Sequence, residues 1–169
     1  MKKFLIVVIV ILAAAIGYFA FQRSTLEGIT PVPLPPEEEQ ETVTVKVFFN
    51  NDLLDPEFSC NRVFSVDREI IKTEAVARAA LEELLKGPTD GEKESGFFTS
   101  INEGVKIESL SVKEGVAMVE FNEQLEFQVG GSCRVAAIRA QISETLKQFP
   151  TVDDVIISIN GRTEDILQP

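Results

Sequence analysis

Between Phe4 and Phe21 the chain carries no charged residue, whereas from Val43 onward apolar positions recur at the short periods of strands and helices. The first run, FLIVVIVILAAAIGYFAF, rises about 1.5 Å per helical residue and so covers roughly 27 Å, close to the hydrocarbon thickness of a bilayer. It predicts a transmembrane anchor over residues 1–23. Lys2 and Lys3 precede the run and Arg23 follows it, so the positive-inside rule keeps the N-terminus cytoplasmic and exports the rest. A cleaved signal peptide is the alternative, because Ala13-Ala14-Ala15 presents an A-x-A site, although the apolar run outlasts a usual h-region. No cysteine stands near its end, which argues against a lipid-modified anchor. Ala13 and Gly17, four apart, suit either close helix packing or plain contact with lipid.

Residues 24–42 read as a linker. The stretch TPVPLPPEEEQET holds four prolines and four glutamates, a composition that extends and repels itself rather than packing, and a spacer is the first expectation for it.

The pattern from residue 43 to 165 is that of one domain, long enough for a single core. Val43, Val45, Val47 and Phe49 alternate, the period of a half-buried strand, and Arg62–Val66 suggests a short second one. Thr73 is placed to cap a helix whose stripe is Val76, Ala77, Ala80, Leu81, Leu84 and Leu85, stopped by Gly87-Pro88. The stretch TDGEKESG reads as mobile. Val105–Val112 and Val116–Phe121 flank Lys113-Glu114-Gly115 as a hairpin, and a shift of apolar parity calls for a bulge near Glu108 or Ser109. Ser132 would cap a second long helix carrying Val135, Ile138, Ile142, Leu146 and Phe149, ended by Pro150. Val155–Ile159 then forms a buried strand. The order β-β-α-β-β-α-β predicts an α+β fold, with two helices packed on one face of a mixed, largely antiparallel sheet.

Composition removes several function classes. The chain has no histidine, which closes imidazole-based triads, His-ligated zinc and haem, and histidine pH switches. Outside the anchor, 13 basic side chains face 27 acidic ones, so no phosphate backbone is attracted and nucleic acid is not an expected partner.

Within this pattern stand Leu84-Leu85-Lys86-Gly87-Pro88-Thr89 and Gly96, then Gly115 with Val119-Glu120-Phe121-Asn122. Thr145-Leu146, Phe149-Pro150, Val152, Val155 and Gly161 follow. On these residues, from about 44 to 162, the chain resembles the GerMN domain, a module of sporulation and germination proteins and of assorted bacterial envelope proteins. Asn102 departs from the pattern, since the family usually has proline after the isoleucine matched by Ile101. The chain has room for one such domain. The resemblance implies an extracytoplasmic, membrane-tethered module acting by protein contact, and it supplies no catalytic motif.

Candidate chemistry is sparse. Asp52, Asp55 and Glu57 share a loop and carry the hard oxygens calcium prefers, but their spacing fits no EF-hand and Pro56 stiffens the set. Asp153 and Asp154 are neighbours, which in a strand face opposite ways and make a poor acid/base pair. Gly130-Gly131-Ser132 precedes a helix and lacks the spacing and lysine of a P-loop. No cofactor and no metal are expected. Phe48, adjacent to Phe49 in the first strand, is the candidate partner contact, the alternative being a second covered face of the sheet. Cys60 and Cys133 are the two cysteines, both in the part read as exported and both at element boundaries, and they are expected to form a disulfide; two buried thiols are the alternative.

Three functions remain: a tethered envelope module binding another envelope protein or itself, a domain for a cell-wall or small ligand, and a wall-acting hydrolase. Convergent carboxylates in a pocket would favour the last, an apolar concavity the second, and an exposed apolar surface the first.

Overall fold

Strand β1 (Thr42–Asn51) buries Val45, Val47 and Phe49 on one face, as its alternation requires, while Val43 at its start stays exposed. The computed structural model describes Tyr18, residues 40–57 and residues 59–168. The anchor, most of the linker and the Ala13/Gly17 spacing therefore lie outside the described residues. Among the described residues no helix is long and apolar enough to cross a membrane.

Strand β2 (Phe64–Ile71) pairs antiparallel with β1, from Thr42↔Ile71 to Phe49↔Phe64. The second strand thus starts later and runs further than Arg62–Val66. Its charged middle, Asp67-Arg68-Glu69, hid it from a reading based on apolar positions, yet an edge strand tolerates such residues because one side meets water. Helix α1 (Val76–Leu85) buries Ala80, Leu81 and Leu84. Its N-cap is Ala75 rather than Thr73, whose hydroxyl instead accepts from the Ala75 N–H in a local turn (3.2 Å). Gly87 ends it in the left-handed region, φ +76°, its N–H donating to the Leu84 carbonyl (3.0 Å).

The stretch read as mobile contains a helix, α2 (Asp90–Glu94). Thr89 and Glu92 form a capping box: the Thr89 N–H donates to Glu92 Oε2 (2.8 Å) and the Glu92 N–H to Thr89 Oγ1 (3.4 Å). The same Glu92 carboxylate takes both Arg68 Nη1 (2.5 Å) and Nη2 (2.6 Å), tying α2 to β2. Hydrogen bonding from Arg68 foremost, then from Thr89, outweighs desolvation and holds the Glu92 carboxyl below its ordinary value of 4.5. A depressed folded-state value contributes stability that is complete above the unfolded carboxyl range and lost as pH falls through the folded one. Unfolding of the wild type and of Arg68→Gln, followed from pH 6 down to about 3, should show the wild type losing its advantage below 4.5. Parallel curves would contradict this.

Strand β3 (Phe97–Phe98) pairs with Asn51 and Asn50 at the other edge of β1. Strands β4 (Ile107–Lys113) and β5 (Val116–Phe121) form the hairpin, with the register shift between Ile107 and Ser109 where the parity change placed it. Glu114 and Gly115 both have positive φ at the turn, as a tight hairpin demands. A Cβ at Gly115 would strike the Asp153 carboxylate, and the Gly115 carbonyl receives the N–H groups of Asp153 (2.7 Å) and Asp154 (3.1 Å). The turn thereby anchors the start of β6 (Asp154–Ile159), which runs parallel to β5. Between them lies α3 (Ser132–Lys147), whose N-cap is Gly131, not Ser132.

The chain is α+β, but it builds two three-stranded sheets, β2-β1-β3 and β4-β5-β6, instead of one mixed sheet. The reason lies along the second edge of β1, which α3 occupies with side chains. Gln148 accepts from the Lys46 N–H (2.7 Å) and donates to the Lys46 carbonyl (2.6 Å), and Thr145 Oγ1 accepts from the Phe48 N–H (3.2 Å). Gln141 continues the row by donating to Asn50 Oδ1 (2.6 Å). Over Lys46 and Phe48 an edge satisfied by a helix has no use for another strand, and β3 pairs only beyond them, at Asn50 and Asn51. Phe49, Leu81, Leu84, Phe121, Ile138, Ile142, Leu146 and Ile159 fill the core where the sheets and long helices meet. Ile166 and Leu167 are also buried in it, so the packed domain passes the expected limit at 165.

Candidate functional site

At the end of β1 two asparagines take the chain into a loop. Asn50 and Asn51 are both buried, and each turns its side chain to backbone: Asn51 Oδ1 accepts from the N–H groups of Leu53 (2.9 Å) and Leu54 (2.8 Å), and Asn51 Nδ2 donates to the Ser95 carbonyl (3.0 Å). Asn50 Nδ2 donates to the carbonyls of Cys60 (3.2 Å) and Arg62 (3.0 Å). Asn50 Oδ1 meets Gln141, whose Oε1 accepts from the Thr99 hydroxyl (2.8 Å). This polar row, buried and fully partnered, sets the loop's path. The sequence carried one signal of it, since Gln141 and Thr145 sit at stripe positions of α3 beside Ile138, Ile142 and Leu146.

Asp55 is buried, and its carboxylate takes the Ser59 N–H (2.7 Å) and hydroxyl (2.9 Å) with Arg62 at 3.8 Å, so it braces the loop; Asp52 and Glu57 are exposed. Among the described residues no cluster of three or more His, Cys, Asp or Glu is disposed to hold a metal ion. Cys60 and Cys133 are bonded, with Cα atoms 4.8 Å apart, which joins the loop to the first turn of α3. Cys60 is held at φ +41°, a conformation an L-residue seldom adopts.

A cleft of about 300 Å³ opens beside that bond, lined mainly by apolar surface from Phe98, Ala137 and the disulfide, with Asn50, Asn51, Asp55, Ser100 and Arg134 around it. Arg134 is committed to structure: Nε donates to the Ser100 carbonyl (3.3 Å), Nη1 to the Gln128 carbonyl (3.3 Å) and Nη2 to Asn102 Oδ1 (2.6 Å). Asn102 passes the tie onward, its Nδ2 donating to the carbonyls of Gln124 (2.7 Å) and Phe127 (2.8 Å). The residue that departs from the family pattern is thus the hub of this end.

Apolar side chains stand exposed at the same end. Leu53 and Leu54 on the loop are 68% and 52% exposed, Phe98 is 37% exposed at the cleft, and Phe127 follows on the segment held by Asn102. Gly96 permits this arrangement: at φ +85°, a Cβ there would fall 2.5 Å from Asp52 Oδ1 and 2.7 Å from Leu53 Cγ. Phe48 is half-buried opposite Ser65. Asp153 and Asp154 are exposed around the start of β6, with Lys147 3.7 Å from Asp154, and converge on no pocket with another carboxylate. Gly130, Gly131 and Ser132 form the turn into α3, Gly131 at φ +87°.

The family description "Germane: Sporulation and spore germination" matches residues 46–165, most of the chain and nearly all of the described domain. The chain belongs to the Germane family. Two solved structures share the fold. The first GerMN domain of the sporulation protein GerM from Bacillus subtilis aligns with a TM-score of 0.55 at 22% identity, covering 72% of this chain and 85% of that one. The tandem GerMN domains of the same protein align with a TM-score of 0.56 at 21% identity over 73% of this chain. This Germane chain spans 41% of that tandem. No curated protein matches it. The Germane residues of the hairpin and helix ends have structural reasons here: Gly87, Gly96, Gly115 and Gly161 all take positive φ, and Phe121 and Leu146 are core.

Proposed function

We propose that this Germane chain is a sporulation- or germination-type module tethered to the cytoplasmic membrane through residues 4–21, with its domain on the extracytoplasmic side, and that it acts by protein contact through the disulfide-bounded end. The observation that carries the reading is the exposure of Leu53 and Leu54 on the loop beside Gly96, together with Phe98 exposed at the cleft. Exposed apolar surface gathered at one place costs solubility and marks a partner surface. The basic flank of the apolar run supports the tether and the export. The partner is an envelope protein or a second copy of the chain. Phe48, being half-buried, yields the contact role to Leu53 and Leu54.

One observation favours a second reading. The cleft is concave and chiefly apolar, and its volume of about 300 Å³ is at the lower end of small-ligand sites. Hydrolysis has less support: Asp55 is the sole carboxylate among the described residues lining the cleft and is engaged by Ser59. Where Glu108, Glu120 and Glu123 line a separate open depression, Glu120 accepts from the Gly161 N–H (3.0 Å) and Glu123 from Asn160 Nδ2 (2.6 Å).

The test is crosslinking of the full-length chain in its native membranes. Wild type should give a specific crosslinked species, and Leu53→Asp/Leu54→Asp should lose it without loss of monomer. Monomer alone from both proteins would defeat the contact reading, and stabilisation by a small apolar compound but by no protein would replace it with the ligand reading.

A further inference from the structure

The bond between Cys60 and Cys133 is unlike one sealed in a core. Cys133 is exposed, Cys60 is half-buried, and both line the cleft. We infer that this disulfide is exchangeable, that a dithiol reductant of the thiol–disulfide oxidoreductase class opens it, and that reduction releases the loop after β1 and widens the cleft. The inference rests on the contact end proposed above, whose regulation it describes.

Three features make the exchange favourable. Cys133 is the second residue of α3, a helix of 16 residues whose N-cap, Gly131, offers no capping side chain. First-turn N–H groups left without a side-chain acceptor, together with the positive end of the helix dipole, stabilise a thiolate at that position. Sulfur that leaves readily speeds exchange at its partner. The second feature is access, since the cleft brings an outside reagent to the sulfurs without unfolding the core. The third is release: Cys60 is held at φ +41°, and breaking the bond lets its backbone leave a conformation an L-residue seldom adopts.

The chemistry balances as a two-electron transfer. One thiolate of the reductant attacks Cys60 Sγ and forms a mixed disulfide; the Cys60–Cys133 bond breaks, and Cys133 departs with the electron pair and takes a proton from water. The second thiolate of the reductant then attacks its own half of the mixed disulfide, and Cys60 leaves and is protonated. Two electrons and two protons have passed to the cysteines, and the reductant ends as a disulfide.

What changes is the loop. Asp55 and Ser59 keep their mutual bonds and Asn51 still holds Leu53 and Leu54, so the loop retains its local turns. Asn50 still holds the Cys60 and Arg62 carbonyls, so what reduction removes is the covalent tie to α3. Leu53, Leu54 and the cleft wall formed by the disulfide then move relative to Phe98 and Ala137, which remain on β3 and α3.

The experiment uses the full-length chain at neutral pH without denaturant. Dithiothreitol is added, thiols are alkylated and counted by mass, and amide exchange is followed in parallel. Both cysteines should become alkylated, and exchange across residues 52–60 should rise roughly tenfold or more while β1, β5 and α3 stay protected. Labelling that needs denaturant, or labelling without any rise in loop exchange, overturns the inference. Glutathione in place of the dithiol should be trapped on Cys60 with Cys133 alkylated, and the reverse pattern overturns the role given to Cys133. Crosslinking in both redox states separates this inference from the one beneath it. Absence of crosslinks in either state with the exchange result intact removes the contact reading alone, whereas persistent crosslinks with a disulfide inert to the dithiol remove the redox inference alone.

Discussion

Replacing Gln141 with leucine is expected to destabilise the domain by about 2–5 kcal/mol, in spite of placing an apolar side chain in an apolar surrounding. Gln141 is fully buried on α3 and bridges two polar groups, donating to Asn50 Oδ1 (2.6 Å) and accepting from the Thr99 hydroxyl (2.8 Å). Leucine fills much the same volume but abandons both partners, and each buried group left without a hydrogen bond costs roughly 1–3 kcal/mol. Asn50 in turn sets the carbonyls of Cys60 and Arg62, so the loss spreads to the loop. Urea unfolding of the variant and wild type measures the difference, with Ile142→Val as a core control expected to cost about 0.5–1.5 kcal/mol. A Gln141→Leu cost below that control would mean the polar row does not hold this end together.

Removing the disulfide, by Cys60→Ala with Cys133→Ala, is expected to cost about 4 kcal/mol on the chain-entropy account, because the bond closes a loop with a sequence separation of 73. A loss of that size is large beside the 5–15 kcal/mol of an ordinary domain, yet leaves a folded protein for most of that range. Equilibrium unfolding of the oxidised wild type against the double variant reads it. Equal midpoints, or thiol labelling of both cysteines in denatured, unreduced wild type from its native compartment, would end the claim and weaken the extracytoplasmic placement with it.

Elements built on a regular apolar repeat were legible in the sequence: β1, the β4–β5 hairpin with its bulge, α3 and β6. So was the stop at Gly87, where glycine and proline act through backbone alone. What escaped reading depended on charge used locally or on partners distant in sequence. Strand β2 hid behind Asp67, Arg68 and Glu69; the pairs Asp67–Lys46 and Arg68–Glu92 exist only after folding. Helix α2 is short and polar, and the capping box that starts it, Thr89 with Glu92, stands among other loop-forming residues. The split into two sheets lay in Gln141, Thr145 and Gln148, ordinary helix residues until β1 is laid against them. At the disulfide-bounded end, the loop and the two cysteines stood out from the sequence, whereas the exposure of Leu53 and Leu54 depends on Asn51 and Gly96 turning the chain outward. Parity sets the face of β1 on which Phe48 stands but not what lies over it, and the side chain is half-buried.

The row of α3 side chains along β1 has a mechanical consequence. Tension on the chain ahead of Gln40 passes directly into β1, which is gripped on both sides, by the β2 backbone and by Gln148, Thr145 and Gln141. The helix and strand run in opposite directions at nearly matched pitch: Gln141 to Gln148 advances about 10.5 Å along a helix, and Lys46 to Asn50 about 13 Å along a strand. Pulled lengthwise, these bonds stand abreast across the line of force and share it, where the bonds of a peeled strand would part in succession. Sliding β1 out by one pleat would break all of them together, so they resist a lengthwise pull on β1 jointly.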